Sequence, residues 1–96
     1  MSEPRRLQVV LAGRVQGVGF RFFAVEQARR RGLTGWVRNR AGGQVEILAE
    51  GPEQDLLDLL AALREGPPLA WVQSLAPDWA PASGEFARFE VLPSAY

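Results

Sequence analysis

Three glycines and two arginines crowd into the stretch Gly13-Arg14-Val15-Gln16-Gly17-Val18-Gly19-Phe20-Arg21, and their types and spacing suit chemistry on an anion. Glycines at 13, 17 and 19 allow positive φ and close backbone approach, so successive N–H groups can converge on one ligand. A helix-like segment follows directly. Its first N–H groups lack intrahelical acceptors and carry the positive end of the helix dipole, which suits phosphate, sulfate or carboxylate. Arg21 adds a planar, permanently charged fork able to pair two phosphate oxygens. The stretch is neither of two well-known phosphate loops: the chain contains no Lys, which a Walker A loop requires, and Phe22 stands where a dinucleotide loop needs glycine.

Composition narrows the available chemistry. Without Cys there is no disulfide, thiolate nucleophile or zinc–thiolate site, and without His there is no imidazole base or Ser-His-Asp triad. Reactions must use Arg, Asn, carboxylates, hydroxyls or the backbone. Eleven Arg balance eleven Asp plus Glu for a formal net charge of zero, which argues against a dedicated nucleic-acid binder. Trp36, Trp71 and Trp79 are read as packing residues, since no basic stripe accompanies them to make a base-stacking platform.

The elements that would position the cradle read as follows. Leu7 to Ala12 alternates as a strand over a core. Phe22 to Arg31 reads as a helix with Ala24 and Ala28 on one stripe, Arg29-Arg30-Arg31 at its negative end as a solvated, dipole-matched terminus, and Gly32 as its stop. Trp36 to Asn39 and Val45 to Ala49 flank Ala41-Gly42-Gly43 as a hairpin. Gly51-Pro52-Glu53 opens a second helix with a stripe of Leu56, Leu60 and Leu63, Leu59 beside them, and Gly66-Pro67-Pro68 closes it. Ala70 to Leu75 is a fourth strand, Pro77 to Gly84 an irregular connection, and Phe86 to Leu92 a terminal strand.

That order predicts an α+β fold: a ferredoxin-like split βαβ sandwich, an antiparallel sheet with two helices packed on one face. In this topology strands one and two run the same way. The loop after strand one and the far end of strand two then meet, which brings Arg21 and Asn39 together.

The string GRVQGVGFR, followed by GWVRNRAGGQVEILAEG at residues 35–51, resembles the acylphosphatase family, and the similarity extends over most of the chain. The resemblance implies hydrolysis of the carboxyl–phosphate anhydride of acyl phosphates, without metal or organic cofactor. It implies a phosphate loop of Gln16, Gly17, Val18, Gly19, Phe20 and Arg21, with Arg21 binding substrate and Asn39 orienting the water. Two departures stand out: Gly42-Gly43 occupies the turn where members often have Asp-Gly, and Pro93-Ser94-Ala95-Tyr96 runs past the usual last strand. The chemistry agrees, because a carboxylate leaves without an acid to protonate it, whereas the alkoxide of an ordinary phosphate ester needs one and the loop offers none.

The length fits a single domain over 1–96 with short flexible tails at about 1–4 and 93–96. The N-terminal residues lead straight into a strand, and no apolar run of about 20 residues is present, so a cytoplasmic monomer acting on a small molecule, with no nucleic-acid or membrane partner, is expected. Three alternatives stay open: a phosphate- or effector-binding module without turnover, a segment of a larger maturation enzyme that works on carbamoyl phosphate, and an RNA-binding module.

Overall fold

Strand β1 (Arg5–Arg14) sets the arrangement, because its alternation buries Leu7, Val9 and Leu11 completely on one face. The computed structural model describes residues 3–96. After β1 come α1 (Phe20–Arg30), β2 (Thr34–Asn39), a 3₁₀ turn at Ala41–Gly43, β3 (Val45–Gly51), α2 (Glu53–Glu65), β4 (Trp71–Pro81) and β5 (Phe89–Val91). The strands form one sheet in the order β4-β1-β3-β2-β5. Both helices pack on the face that carries Leu7, Val9, Leu11, Val37, Val45, Ile47 and Ala49. Ala24 and Ala28 of α1 and Leu56, Leu59 and Leu63 of α2 complete this core. The buried stripe of α2 thus runs through Leu59, with Leu60 only partly covered at its side. No described helix is long and apolar enough to cross a membrane.

The ferredoxin-like α+β prediction holds for β1 to β4, which pair antiparallel throughout. The sheet as a whole is mixed, because β5 joins β2 in parallel, with Gly35 opposite Phe89 and Val37 opposite Val91. Since β1 and β2 are each antiparallel to β3, they run in one direction and end on the same side of the sheet.

Element limits shift for physical reasons. Helix α1 starts at Phe20, two residues before the expected point, because Gly19 turns the backbone into the helix at φ 78° and ψ 19°. Strand β4 continues through Pro77 to Pro81, where an irregular connection was expected. It is an edge strand, and there a proline can turn its missing N–H side to solvent. The terminal strand is shorter than expected, running only over Phe89–Val91, and the connection before it is anchored where Ser83 and Gly84 donate backbone N–H groups to the Glu50 carboxylate at 2.8 and 3.0 Å. Gly13, counted with the cradle in the sequence, belongs to β1. It sits at a register shift against β4, where a β-carbon would strike the carbonyl oxygen of Trp71.

Of the loose tails expected at the two ends, the first falls partly on Met1 and Ser2, which lie outside the described residues. The second is corrected at Ala95. That residue donates its N–H to the Asn39 carbonyl at 2.9 Å and accepts from Ala41 N–H at 3.1 Å, so the end of the chain is tied to β2.

Candidate active site

The turn from β1 into α1 creates an unusual surplus of donors. None of the backbone amides from Gln16 to Phe22 donates a hydrogen bond among the described residues, and the first helical bond is Phe23 N–H to the Gly19 carbonyl at 3.0 Å. Gly17 at φ 73° and Gly19 at φ 78° provide the left-handed turns that bring this run round to the helix end. Neither an N-cap side chain nor an acidic residue in the first turn of α1 competes for these amides. The positive end of the helix is therefore left open to an external anion.

Arg21 lies in this first turn with its guanidinium exposed, and it makes no ion pair or hydrogen bond among the described residues. Other arginines are engaged: Arg5 with Glu53, Arg6 with Glu50, and Arg38 with Glu46. Arg21 and the loop border a concavity of about 540 Å³, whose wall also includes Asn39 at the end of β2. The shared direction of β1 and β2 is what brings the two together.

Asn39 is 8% exposed, and its Oδ1 is buried without a hydrogen-bond partner among the described residues. An unpaired buried oxygen costs roughly 1–3 kcal/mol. A bound water donating to Oδ1 would remove that cost and would lie beside the anion site.

Of the residues expected to bind substrate, Gln16, Gly17, Gly19, Phe20 and Arg21 border the concavity together with Asn39. Val18 does not: its side chain packs against the core. Phe20 is also a core side chain, stacked edge-on to Phe23 with ring centroids 5.9 Å apart, so only its backbone can serve a ligand. The Gln16 side chain is committed to structure. Its Nε2 donates to the carbonyls of Arg40 and Gln44 at 2.9 and 2.8 Å, tying the loop to the β2–β3 hairpin.

Sequence reasoning missed Val15, Phe22, Val25, Arg29 and Val91, which form the remaining wall. Arg29 was read as a solvated helix end, yet its Nε donates to the Phe89 carbonyl at 3.2 Å. The spacing of Phe22, Val25 and Arg29, one helical face, was the available signal. Trp71, read as a packing residue, is 62% exposed on the edge strand, whereas Trp36 and Trp79 lie under Arg38 and Arg5.

Fold and site together define a ferredoxin-like α+β domain with a run of backbone amides and an arginine, unpaired among the described residues, at one helix N-terminus. The acylphosphatase family profile matches residues 7–91. An acylphosphatase of Syntrophotalea carbinolica is 49% identical over 89 residues, 93% of this chain and 97% of the relative. One of Pyrobaculum aerophilum is 43% identical over 93 residues, covering 96% and 98%. The crystal structure of the Bacillus subtilis acylphosphatase superposes with a TM-score of 0.89 at 40% identity, over 92% of this chain and 98% of that one. Full-length HypF in its phosphate- and nucleotide-bound form also matches, with a TM-score of 0.90 and 28% identity over 99% of this chain but 12% of HypF. The chain belongs to the acylphosphatase family, hydrolases that act on acyl phosphates.

Proposed function

We propose that the phosphoryl group of an acyl phosphate sits on the amides of Gln16 to Arg21 and on the Arg21 guanidinium, while Asn39 holds the attacking water. The observation that carries this reading is that amides and an Arg21 guanidinium unpaired among the described residues share one concavity with Asn39, whose Oδ1 lies buried behind that wall without a partner among the described residues. Phosphoryl transfer asks little covalent work of a protein. It needs charge held and a nucleophile placed in line with the leaving oxygen.

The steps balance without an external acid. Water donates one hydrogen bond to Asn39 Oδ1 and directs a lone pair at phosphorus. A P–O bond to water forms as the P–O bond to the acyl oxygen breaks, and the electron pair of the broken bond leaves on the carboxylate. An amide is too weak a base to take the water's proton, which passes to a phosphate oxygen or to solvent. Charge on the equatorial oxygens is met by the cradle amides and the Arg21 fork. Gln16 keeps the loop at a fixed distance from the hairpin that carries Asn39.

A single-domain, monomeric, cytoplasmic enzyme acting on a small molecule, with no nucleic-acid or membrane partner, is part of the same proposal, and the balanced charge supports the small substrate. The test is release of phosphate from an aryl acyl phosphate in the presence of chelator, with a phosphate monoester as control. Turnover of the anhydride alone, lost in both Arg21→Ala and Asn39→Ala, supports the reading. Tight phosphate binding without turnover in the parent would overturn it.

A further inference from the structure

A phosphoryl group alone is far smaller than the concavity of about 540 Å³, which lies in the size range of sites for drug-sized ligands. Apart from Asn39 and the residues of the 15–21 turn, the wall is Phe22, Val25, Val91 and Arg29. Phe22 is 75% exposed and Val91 is half-exposed, although apolar side chains with free space normally turn inward. A shallower groove continues from the concavity along α1, sharing Phe22, Val25 and Arg29 with it and adding Glu26 and Arg30.

The charges along this groove are unequal. Arg30 is drawn to Glu26 at 3.9 Å, and Arg31 is bound to the Gln27 carbonyl and side chain at 3.0 and 2.8 Å. Arg29 is pinned only through Nε to the Phe89 carbonyl, and its terminal nitrogens make no hydrogen bond or ion pair among the described residues. Phe22, Val25 and Arg29 lie at i, i+3 and i+7 of one helix, so the cation stands about 10 Å along the axis from Phe22.

From these observations, and resting on the acyl phosphate reading above, we infer a seat for the acyl group. The acyl body lies on Phe22, Val25 and Val91, and Arg29 selects acyl phosphates that carry a second anionic group at the far end. The occupant follows from covalent continuity: the acyl group is attached to the phosphate in the cradle and must occupy the space that remains. The substrate class is an apolar, aryl or branched acyl phosphate with a distal carboxylate.

The test compares kcat/KM for acetyl, benzoyl and 4-carboxybenzoyl phosphate in the parent, Phe22→Ala, Arg29→Gln and Arg29→Lys. Inhibition by inorganic phosphate serves as the check that the cradle is intact. The parent should prefer benzoyl to acetyl phosphate and 4-carboxybenzoyl to benzoyl phosphate. Phe22→Ala should cut the benzoyl-to-acetyl ratio roughly tenfold. Arg29→Gln should cut the carboxybenzoyl-to-benzoyl ratio about three- to fivefold, as expected for an exposed pair. Arg29→Lys should restore part of that ratio, and added salt should shrink it in the parent. Equal losses on all three substrates in Arg29→Gln, or ratios unchanged in both Phe22→Ala and Arg29→Gln, would overturn the seat. A parent that hydrolyses all three at equal kcat/KM leaves the acyl phosphate reading intact and the seat wrong. A parent that hydrolyses none of them removes the underlying reading itself.

Discussion

Replacing Asn39 with Ala should abolish turnover without harming the fold, an outcome opposite to that for most buried polar residues. In the parent, the Oδ1 of Asn39 is shut away from solvent with no partner among the described residues, a cost of roughly 1–3 kcal/mol. Truncation removes that oxygen and sacrifices the packing of a small side chain, worth about 1 kcal/mol. The net is between a loss of about 1 kcal/mol, where a bound water already satisfies Oδ1, and a gain of about 2 kcal/mol, where none does. For a domain of this size each kcal/mol moves Tm by roughly 4–8 °C, so Tm should lie between a fall of about 8 °C and a rise of about 16 °C. The backbone of residue 39 keeps its bond from Ala95 in either case. Turnover, by contrast, loses the group that places the water, and kcat should fall roughly 10²- to 10³-fold. Inorganic phosphate should inhibit the variant as it does the parent, because the cradle amides and Arg21 are untouched. Calorimetry and phosphate-release kinetics on one preparation measure all three quantities. A Tm lowered by more than about 10 °C, or loss of phosphate inhibition, would refute the reasoning, since Asn39 would then be supporting the structure or the anion.

Arg21→Ala should lose at least about 10² in kcat/KM, and Arg21→Lys should recover little, because an ammonium cannot present two parallel donors; full recovery with Lys would show that charge alone matters. Gln16→Ala should raise KM and blur the cradle, since two carbonyls of the hairpin lose their shared donor at 2.9 and 2.8 Å; an unchanged KM for acyl phosphate would remove Gln16 from the positioning role. Glu50 is 4% exposed, and burial pushes its carboxyl up, but the combined hydrogen bonds from Ser83, Arg6 and Gly84 outweigh burial and hold it below its ordinary value. A lowered carboxylate stabilises the fold fully above its unfolded value of about 4.3 and loses that contribution as pH falls through the lowered one. Glu50→Gln should therefore cost about 2 kcal/mol at neutral pH and flatten the acid limb of a stability–pH curve measured by urea unfolding; an acid limb identical to the parent's would contradict the assignment.

The glycine-rich turn, and the sharing of one concavity by Arg21 and Asn39, were legible because they depend on glycines, on the single Asn of the chain and on the order of the strands. Proline misled the reading of β4: as a breaker it ended the strand at Leu75, but on a sheet edge Pro77 leaves its neighbours' pairing intact. The parallel joining of β5 to β2 carries no local signal, for it depends on where the 82–88 connection is anchored, and that anchor is Glu50, more than thirty residues earlier. The second role of Gln16 was hidden for the same reason, since its acceptors at Arg40 and Gln44 are defined only once the hairpin folds beside the loop. The apolar wall of the site was half visible in the spacing of Phe22, Val25 and Arg29, but Val91 enters only through the parallel pairing.

The central claim is that water held at Asn39 attacks phosphorus and not the acyl carbon. Hydrolysis of benzoyl phosphate in ¹⁸O-labelled water, with both products read by mass spectrometry, tests it directly. The account predicts label in the inorganic phosphate and none in the benzoate. Label in the benzoate would contradict it, because the carbonyl would then be the electrophile and the cradle would hold only the leaving group.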